Sequence, residues 1–268
     1  MSDEVCRSEE IKKVKGEKKM KLGNPIAAGN TAEIYSVQNQ IVKVFRKDLP
    51  DGTSSYEAEK QRYALSKGLP VPKIIDVTKI GGRQAIIMEK ISGRTLGERL
   101  LENKNLAHYY MEMSVNIQQN IHRINADAFE PMTKKLTHQI GTADRLSQSQ
   151  KTALLFKLSE MPVKKQLCHG DFHLFNLIMG DHVTIIDWVD ASAGDSRADV
   201  YRTYLLYTQF SSELAELYLQ LYCMKTGVSK EEIMEWAPII AGARLSEGVI
   251  TEDSERLLKI VDELRLRR

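Results

Sequence analysis

The sequence predicts an α+β chain in two parts: an antiparallel five-stranded sheet with one helix, then a mostly helical half. Three observations lead there. Met20 to Glu89 is a series of short apolar runs broken by turn residues, the pattern of hairpins. Past Ser92-Gly93 the apolar residues recur at helical spacing. Within that helical half one stretch, Cys168 to Asp187, reverts to strands and turns and collects a dense set of polar residues.

Taken in order, residues 1–19 alternate acidic and basic side chains, with a basic run at Lys12, Lys13, Lys15, Lys18 and Lys19, and read as a disordered or frayed lead-in. Ile34 to Val37 and Ile41 to Phe45 flank Gln38-Asn39-Gln40 as a hairpin. Ser54 to Lys67 carries helix formers and is stopped by Gly68-Leu69-Pro70-Val71-Pro72. Lys73 to Thr78 and Gln84 to Glu89 make a second strand pair across Gly81-Gly82. These elements set the first part at 20–91 and the second at 92–268. In the second, Asn105 to Asn125 places Met113, Ile117 and Ile121 on one helical face. Residues 143–160 and several segments after Ser196 read as helices too, interrupted only by the hairpin of Cys168 to Asp187.

Composition excludes several classes. With 268 residues, 42% of them hydrophobic and 28% charged, the chain can bury a sizeable core. A net charge of +2 calls for neither nucleic acid nor an anionic membrane. No apolar run approaches the roughly 20 residues of a spanning helix. The N-terminus lacks the apolar stretch of a signal peptide. Cys6, Cys168 and Cys223 are odd in number and unpaired in spacing. The expectation is a reduced, cytoplasmic protein without nucleic-acid or membrane partners; the sequence sets no oligomeric state.

The chemistry concentrates in CHGDFHLFNLIMGDHVTIID, Cys168 to Asp187. Leu177 to Met179 and Val183 to Ile186 read as strands joined at Gly180-Asp181. A hairpin returns its ends to one place, so Asp171 and Asn176 fall beside Asp187. That arrangement suits phosphoryl transfer from a nucleoside triphosphate, which needs metal ions on the phosphates and a group to receive the acceptor hydroxyl's proton. Magnesium prefers hard oxygen ligands, as a carboxylate and an amide supply. Asp171 is therefore expected to be the base or hydroxyl-orienting group, and Asn176 and Asp187 the metal ligands. Turn-forming Asp and Asn beside an ordinary hairpin are the bland alternative. Upstream, Gly29-Asn30-Thr31 makes a small-residue turn whose backbone N–H groups could approach phosphate, although such turns are common.

His169-Gly170-Asp171 with Asn176, then Ile186-Asp187-Trp188, resembles the motifs of the aminoglycoside phosphotransferase-like kinases, a superfamily that also holds choline, fructosamine, homoserine and methylthioribose kinases. The resemblance runs from about Gly23 to Gly248. It departs from ordinary protein kinases, which carry His-Arg-Asp and Asp-Phe-Gly. It implies a bilobal protein-kinase-like fold, ATP (or GTP) and magnesium as cofactors, and a small-molecule hydroxyl acceptor. An aminoglycoside-like amino sugar is the preferred acceptor, with choline, fructosamine, methylthioribose and thiamine types open. A nucleotide-binding pseudokinase and an atypical protein kinase are the alternatives.

The resemblance also assigns roles. Gly29, Asn30 and Thr31 match its nucleotide loop. Lys43, which as a strand lysine could equally face solvent, would contact the triphosphate and pair with Glu57, with Glu59 as the fallback. The backbone of Glu89 and Ile91 would read the adenine edge and Met88 line the ring pocket, unless Met88 is plain core. His169 is read as structural, and Asp199 as the family's brace for the catalytic loop. Asp190 and Asp195 could sit at the rim of the acceptor pocket, against the alternative of simple turn chemistry. Glu235, Trp236 and Glu247 on the C-terminal helices could line it, against the alternative of a solvated face.

Overall fold

The computed structural model describes residues 20–29, 31–249 and 252–266, with side chains as far as Glu263. The lead-in expected at 1–19 and Asn30 of the small-residue turn lie outside the described residues. The chain divides into two compact units, one holding residues up to Glu59 and Lys73–Lys90, the other Lys60–Pro72 and everything from Ile91 on.

The first unit is an antiparallel five-stranded sheet. Its strands are β1 (Ala27–Ala28), β2 (Ala32–Val37), β3 (Gln40–Phe45), β4 (Ile74–Ile80) and β5 (Arg83–Glu89), in the order β1-β2-β3-β5-β4. β2 and β3 close with Val37 opposite Gln40, and Gln38 takes the left-handed conformation (φ 53°) that the tight connection demands. Alternation along β3 sends Val42 and Val44 to one face, with Tyr35, Ala85 and Ile87. Phe45 goes to the other, with Ala58 of helix α1 (Thr53–Ser66). The same period puts Lys43 on the α1 face, and Lys43 is only 7% exposed. α1 begins in the first unit, while Lys60–Pro72 pack within the second.

The second unit contains β6 (Arg94–Thr95), α2 (Leu96–Glu102), α3 (Ala107–His122), α4 (Met132–Thr142), α5 (Gln148–Glu160) and β7 (Gln166–Cys168). Then come β8 (Leu177–Met179), β9 (Val183–Ile185), β10 (Ser192–Gly194), α6 (Ser196–Tyr207), α7 (Ser212–Thr226), α8 (Lys230–Met234), α9 (Ala237–Arg244) and α10 (Ser254–Leu266). Trp188, Trp236, Tyr218 and Phe172 are among its largest fully buried side chains. Among the described residues no helix is long and apolar enough to cross a membrane.

Two expectations are corrected. The helix expected over 143–160 begins at Gln148, capped by Ser147 and Gln150 in a reciprocal box. A separate helix, α4, precedes it. α4 buries only Met132, Leu136 and Ile140, a stripe one residue wide that the polar side chains around it hide. Nor is the expected hairpin the only β-structure here. β8 and β9 pair as expected, Leu177 opposite Ile185, but β6 extends them to three strands and β7 pairs with β10. Strands of two or three residues are too short to show a period of two.

Candidate active site

The hairpin register does what the spacing requires. The Ile186 N–H donates to the Asn176 carbonyl at 3.0 Å, so Asp187 follows directly on a residue bonded to Asn176. Asp187 itself is left-handed, φ 63°, a conformation Asp tolerates better than most residues. Asn176 donates through Nδ2 to the Asp171 carbonyl at 2.8 Å and to Asp171 Oδ2 at 3.2 Å. Two acceptors on one side fix the amide's orientation and turn Oδ1 the other way. His173 Nε2 stands 3.5 Å from Asp171 Oδ2. Burial raises the Asp171 carboxyl's pKa, but the hydrogen bond and charge of His173, with the charge of Arg202, outweigh it and hold the group well below the usual carboxylate range.

The turn bearing Asp171 is held from behind. His169 is fully buried, its ring 4.7 Å from that of Trp188 and tilted 55° to it. Its Nε2 bonds the Ile186 carbonyl at 3.1 Å and its Nδ1 accepts the Asp171 N–H at 3.3 Å, which selects the Nε2–H tautomer. Burial lowers its pKa and keeps the ring neutral. Asp199, in the first turn of α6, accepts from the Gly170 N–H (2.7 Å) and the His169 N–H (3.3 Å). It also accepts from Gln118 Nε2 (3.1 Å) and bonds His122 Nε2 (2.9 Å). Burial raises its pKa, yet His122 and the Gly170 amide prevail and the carboxyl stays low. Gly170 has φ +83°, and a Cβ there would meet the Asp190 carbonyl oxygen at 2.5 Å, so the turn requires glycine.

In the first unit Lys43 Nζ bonds Glu57 Oε1 at 2.6 Å, both nearly buried. Glu59, the fallback, is exposed. Gly29 N–H bonds the Ala32 carbonyl at 2.8 Å, tightening the small-residue turn, and the Thr31 carbonyl accepts from Arg46 N–H at 2.9 Å. Met88 is partly buried against the α1 face of the sheet. The Glu89 N–H is spent on the Lys73 carbonyl at 3.0 Å. Glu89 belongs to the first unit and Ile91 to the second.

The residues expected at the acceptor pocket separate. Asp190 and Glu247 line a cavity of about 40 Å³ beside Gly170, with Lys135, Gln139, Arg202, Leu136 and Ile240. Asp195 and Trp236, each 1% exposed, instead border another cavity, with Phe129, Val163 and Lys164. Asp195 is not a rim residue: it caps α6, accepting from the Arg197 N–H at 2.9 Å and ion-pairing the Arg197 guanidinium at 2.6 Å. Trp236 offers no aromatic face, because its ring is core. Glu235 is exposed and lines neither cavity.

Sequence reasoning missed Lys135, Arg202 and Lys60. Lys135 lies on the unread helix α4. Arg202 sits mid-helix in α6, where ten of twelve residues are buried, and an arginine beside Tyr201 and Leu205 on a helix this apolar in its second half was the available signal. Lys60 Nζ bonds the Val189 carbonyl at 2.7 Å and so steadies the segment after Asp187.

For a divalent cation, Asn176 Oδ1 and the Asp187 carboxylate would be the oxygens on offer, carried by segments whose backbones the hairpin joins. The fixed amide orientation of Asn176 and the hard-oxygen donor set fit magnesium.

Solved structures share this architecture. A thermostable mutant of aminoglycoside phosphotransferase APH(4)-Ia matches with a TM-score of 0.68 at 14% identity, over 92% of this chain and 94% of that one. Choline kinase LicA from Streptococcus pneumoniae matches at 0.63 and 18%, over 94% and 95%. Aminoglycoside phosphotransferase APH(2'')-Ib matches at 0.60 and 18%, over 91% and 93%. At such identities the likeness shows a common kinase-like fold. No curated protein matches the chain. The family model described as the phosphotransferase enzyme family matches residues 23–236, most of the sequence, and the chain belongs to that family.

Proposed function

We propose that this phosphotransferase moves the terminal phosphoryl group of ATP to a hydroxyl of a small molecule. The observation that carries the reading is the Asp171–Asn176 bond held on the hairpin that also presents Asp187. Structures of the same fold with ADP and hygromycin B, or with AMP, support nucleotide use. In the first unit Lys43, fixed by Glu57, is the group for the phosphates, beside the backbone of Gly29 and Thr31. In the second, Asn176 and Asp187 would hold magnesium, which when bound neutralises charge on phosphate oxygens.

Asp171 accepts the acceptor hydroxyl's hydrogen through Oδ1, since Oδ2 is occupied by Asn176. With its pKa so low, Asp171 is a weak base. It orients the hydroxyl first and takes the proton late, once bond formation to phosphorus has made the oxygen acidic. That order suits a loose transition state in which the nucleophile needs little early activation. The free thiols of Cys168 and Cys223 accord with a reducing cytoplasm.

An ATP-consumption screen over amino sugars, choline, sugars and hydroxy acids, with products identified by mass, tests the reading. A phosphorylated small molecule formed by the wild type and not by Asp171→Asn is the expected result. Magnesium-dependent nucleotide binding that survives Asp187→Ala would overturn it. The amino-sugar acceptor expected from the sequence calls for carboxylates near the catalytic turn, and those lining the cavity beside Gly170 each already bond a cation or another donor.

A further inference from the structure

We infer that the acceptor carries an anionic oxygen group, a carboxylate or a phosphate, recognised by Arg202 and Lys135 in the cavity beside Gly170. The inference rests on the kinase reading above and narrows its substrate class.

Every carboxylate lining this cavity is already committed. Asp190 accepts Lys135 Nζ at 2.6 Å. Glu247 accepts Arg202 Nη2 at 2.8 Å and also bonds Arg244 and Gln139. Asp199 is filled by two backbone amides, Gln118 and His122. Of these carboxylate oxygens only Asp190 Oδ2 carries no hydrogen bond among the described residues, so an ammonium-rich ligand would find one free carboxylate oxygen beside two cations.

The donors are not all committed. Arg202 spends Nε on the Gly170 carbonyl at 3.2 Å and Nη2 on Glu247. Among the described residues nothing accepts from its Nη1, although the side chain is only 8% exposed. Lys135 uses two of its three N–H bonds, on the carbonyl and the carboxylate of Asp190. Nη1 is open to the cavity, and an anionic oxygen is the strongest partner for a guanidinium N–H. Leu136, Ile240, Ala243 and Met132 form the apolar wall around these donors, which strengthens the attraction. The cavity's 40 Å³ accommodates a few water-sized groups, the bulk of an oxyacid head. Because Arg202 also holds the carbonyl of Gly170, an oxyacid bound there lies next to the turn that carries Asp171.

The test is calorimetric binding to the full chain saturated with ADP and magnesium, using glycerate, glycerol phosphate, hygromycin B and spermine as probes. At least one anion should bind, glycerate or glycerol phosphate telling carboxylate from phosphate. Its affinity should fall about tenfold in Arg202→Lys, which keeps the charge opposite Glu247 but loses the planar fork. It should fall comparably in Lys135→Gln, a more exposed position that decides the matter should the arginine variant fail to melt cooperatively. The polycations should bind neither variant better than the wild type. Absence of anion binding, or anion affinity unchanged in Lys135→Gln, overturns the inference, as does tight polycation binding to the wild type. Failure of the kinase reading shows separately, as nucleotide binding indifferent to magnesium before any probe is added.

Discussion

Asp171 and Asn176 act as one unit. A single amide nitrogen ties the carboxylate to the loop backbone and leaves one carboxylate oxygen and one amide oxygen pointing away from each other. Asp171→Asn keeps the size of the side chain and replaces its charge, so turnover should fall by about 10²-fold or more while nucleotide affinity holds. Steady-state kinetics with nucleotide titrations check this, and near-normal turnover would remove Asp171 from the chemistry. The metal positions separate by charge. Asp187→Ala should abolish the magnesium dependence of nucleotide binding, whereas Asn176→Ala, which loses one neutral oxygen, should only weaken it. Calorimetry with and without magnesium measures both, and equal losses would contradict the assignment. The pairing of Lys43 with Glu57 was legible only through the family resemblance, because the strand pattern alone left Lys43 as free to face solvent as the helix. The burial of Trp236 was not legible, and for Asp195 the sequence held two readings, a rim carboxylate or an Asp at a helix start, of which the structure takes the second.

At the scale of elements, the catalytic turn is a suspended loop. β7 and β8 bracket it, and α6 fastens it by the Asp199 carboxylate, whose four partners come from the turn itself and from α3. Removing that acceptor would strand two backbone amides, an amide and an imidazole in a dry interior. Asp199→Ala should therefore cost about 3 kcal/mol or more of stability. Gly170→Ala should act differently: its Cβ would strike the Asp190 carbonyl, so the turn shifts and activity falls further than stability does. Urea unfolding alongside turnover distinguishes the two, and a Gly170→Ala enzyme with full activity would show that the turn can move without consequence. The hairpin of β8 and β9 was readable because two apolar runs flank a Gly-Asp turn. β6, β7 and β10 were not, because pairings two or three residues long are fixed by the tertiary fold and leave no pattern of their own.

For the whole molecule, the buried acids of the second unit set how it meets low pH. The carboxyls of Asp171, Asp190, Asp195 and Asp199 are all held below their ordinary value, burial in each case being outweighed by cations and hydrogen bonds. An unfolded aspartate titrates near pH 3.9. Below that the unfolded chain takes up protons the folded one refuses, so the stability these groups contribute is complete above about pH 5 and drains away as pH falls toward their folded values. His169 adds an earlier step. Its pKa is lowered by burial, so the unfolded chain protonates it first, from about pH 6.5 downward, and the folded state loses ground there too. The urea midpoint should thus be level from about pH 8 to 7, decline gently below about 6.5 and fall steeply below about 4. His169→Gln, measured across the same series, should remove the gentle limb and leave the steep one. A wild-type midpoint level down to about pH 5 would mean that the buried neutral imidazole is not coupled to folding, and that the turn behind Asp171 owes its rigidity to Asp199 alone.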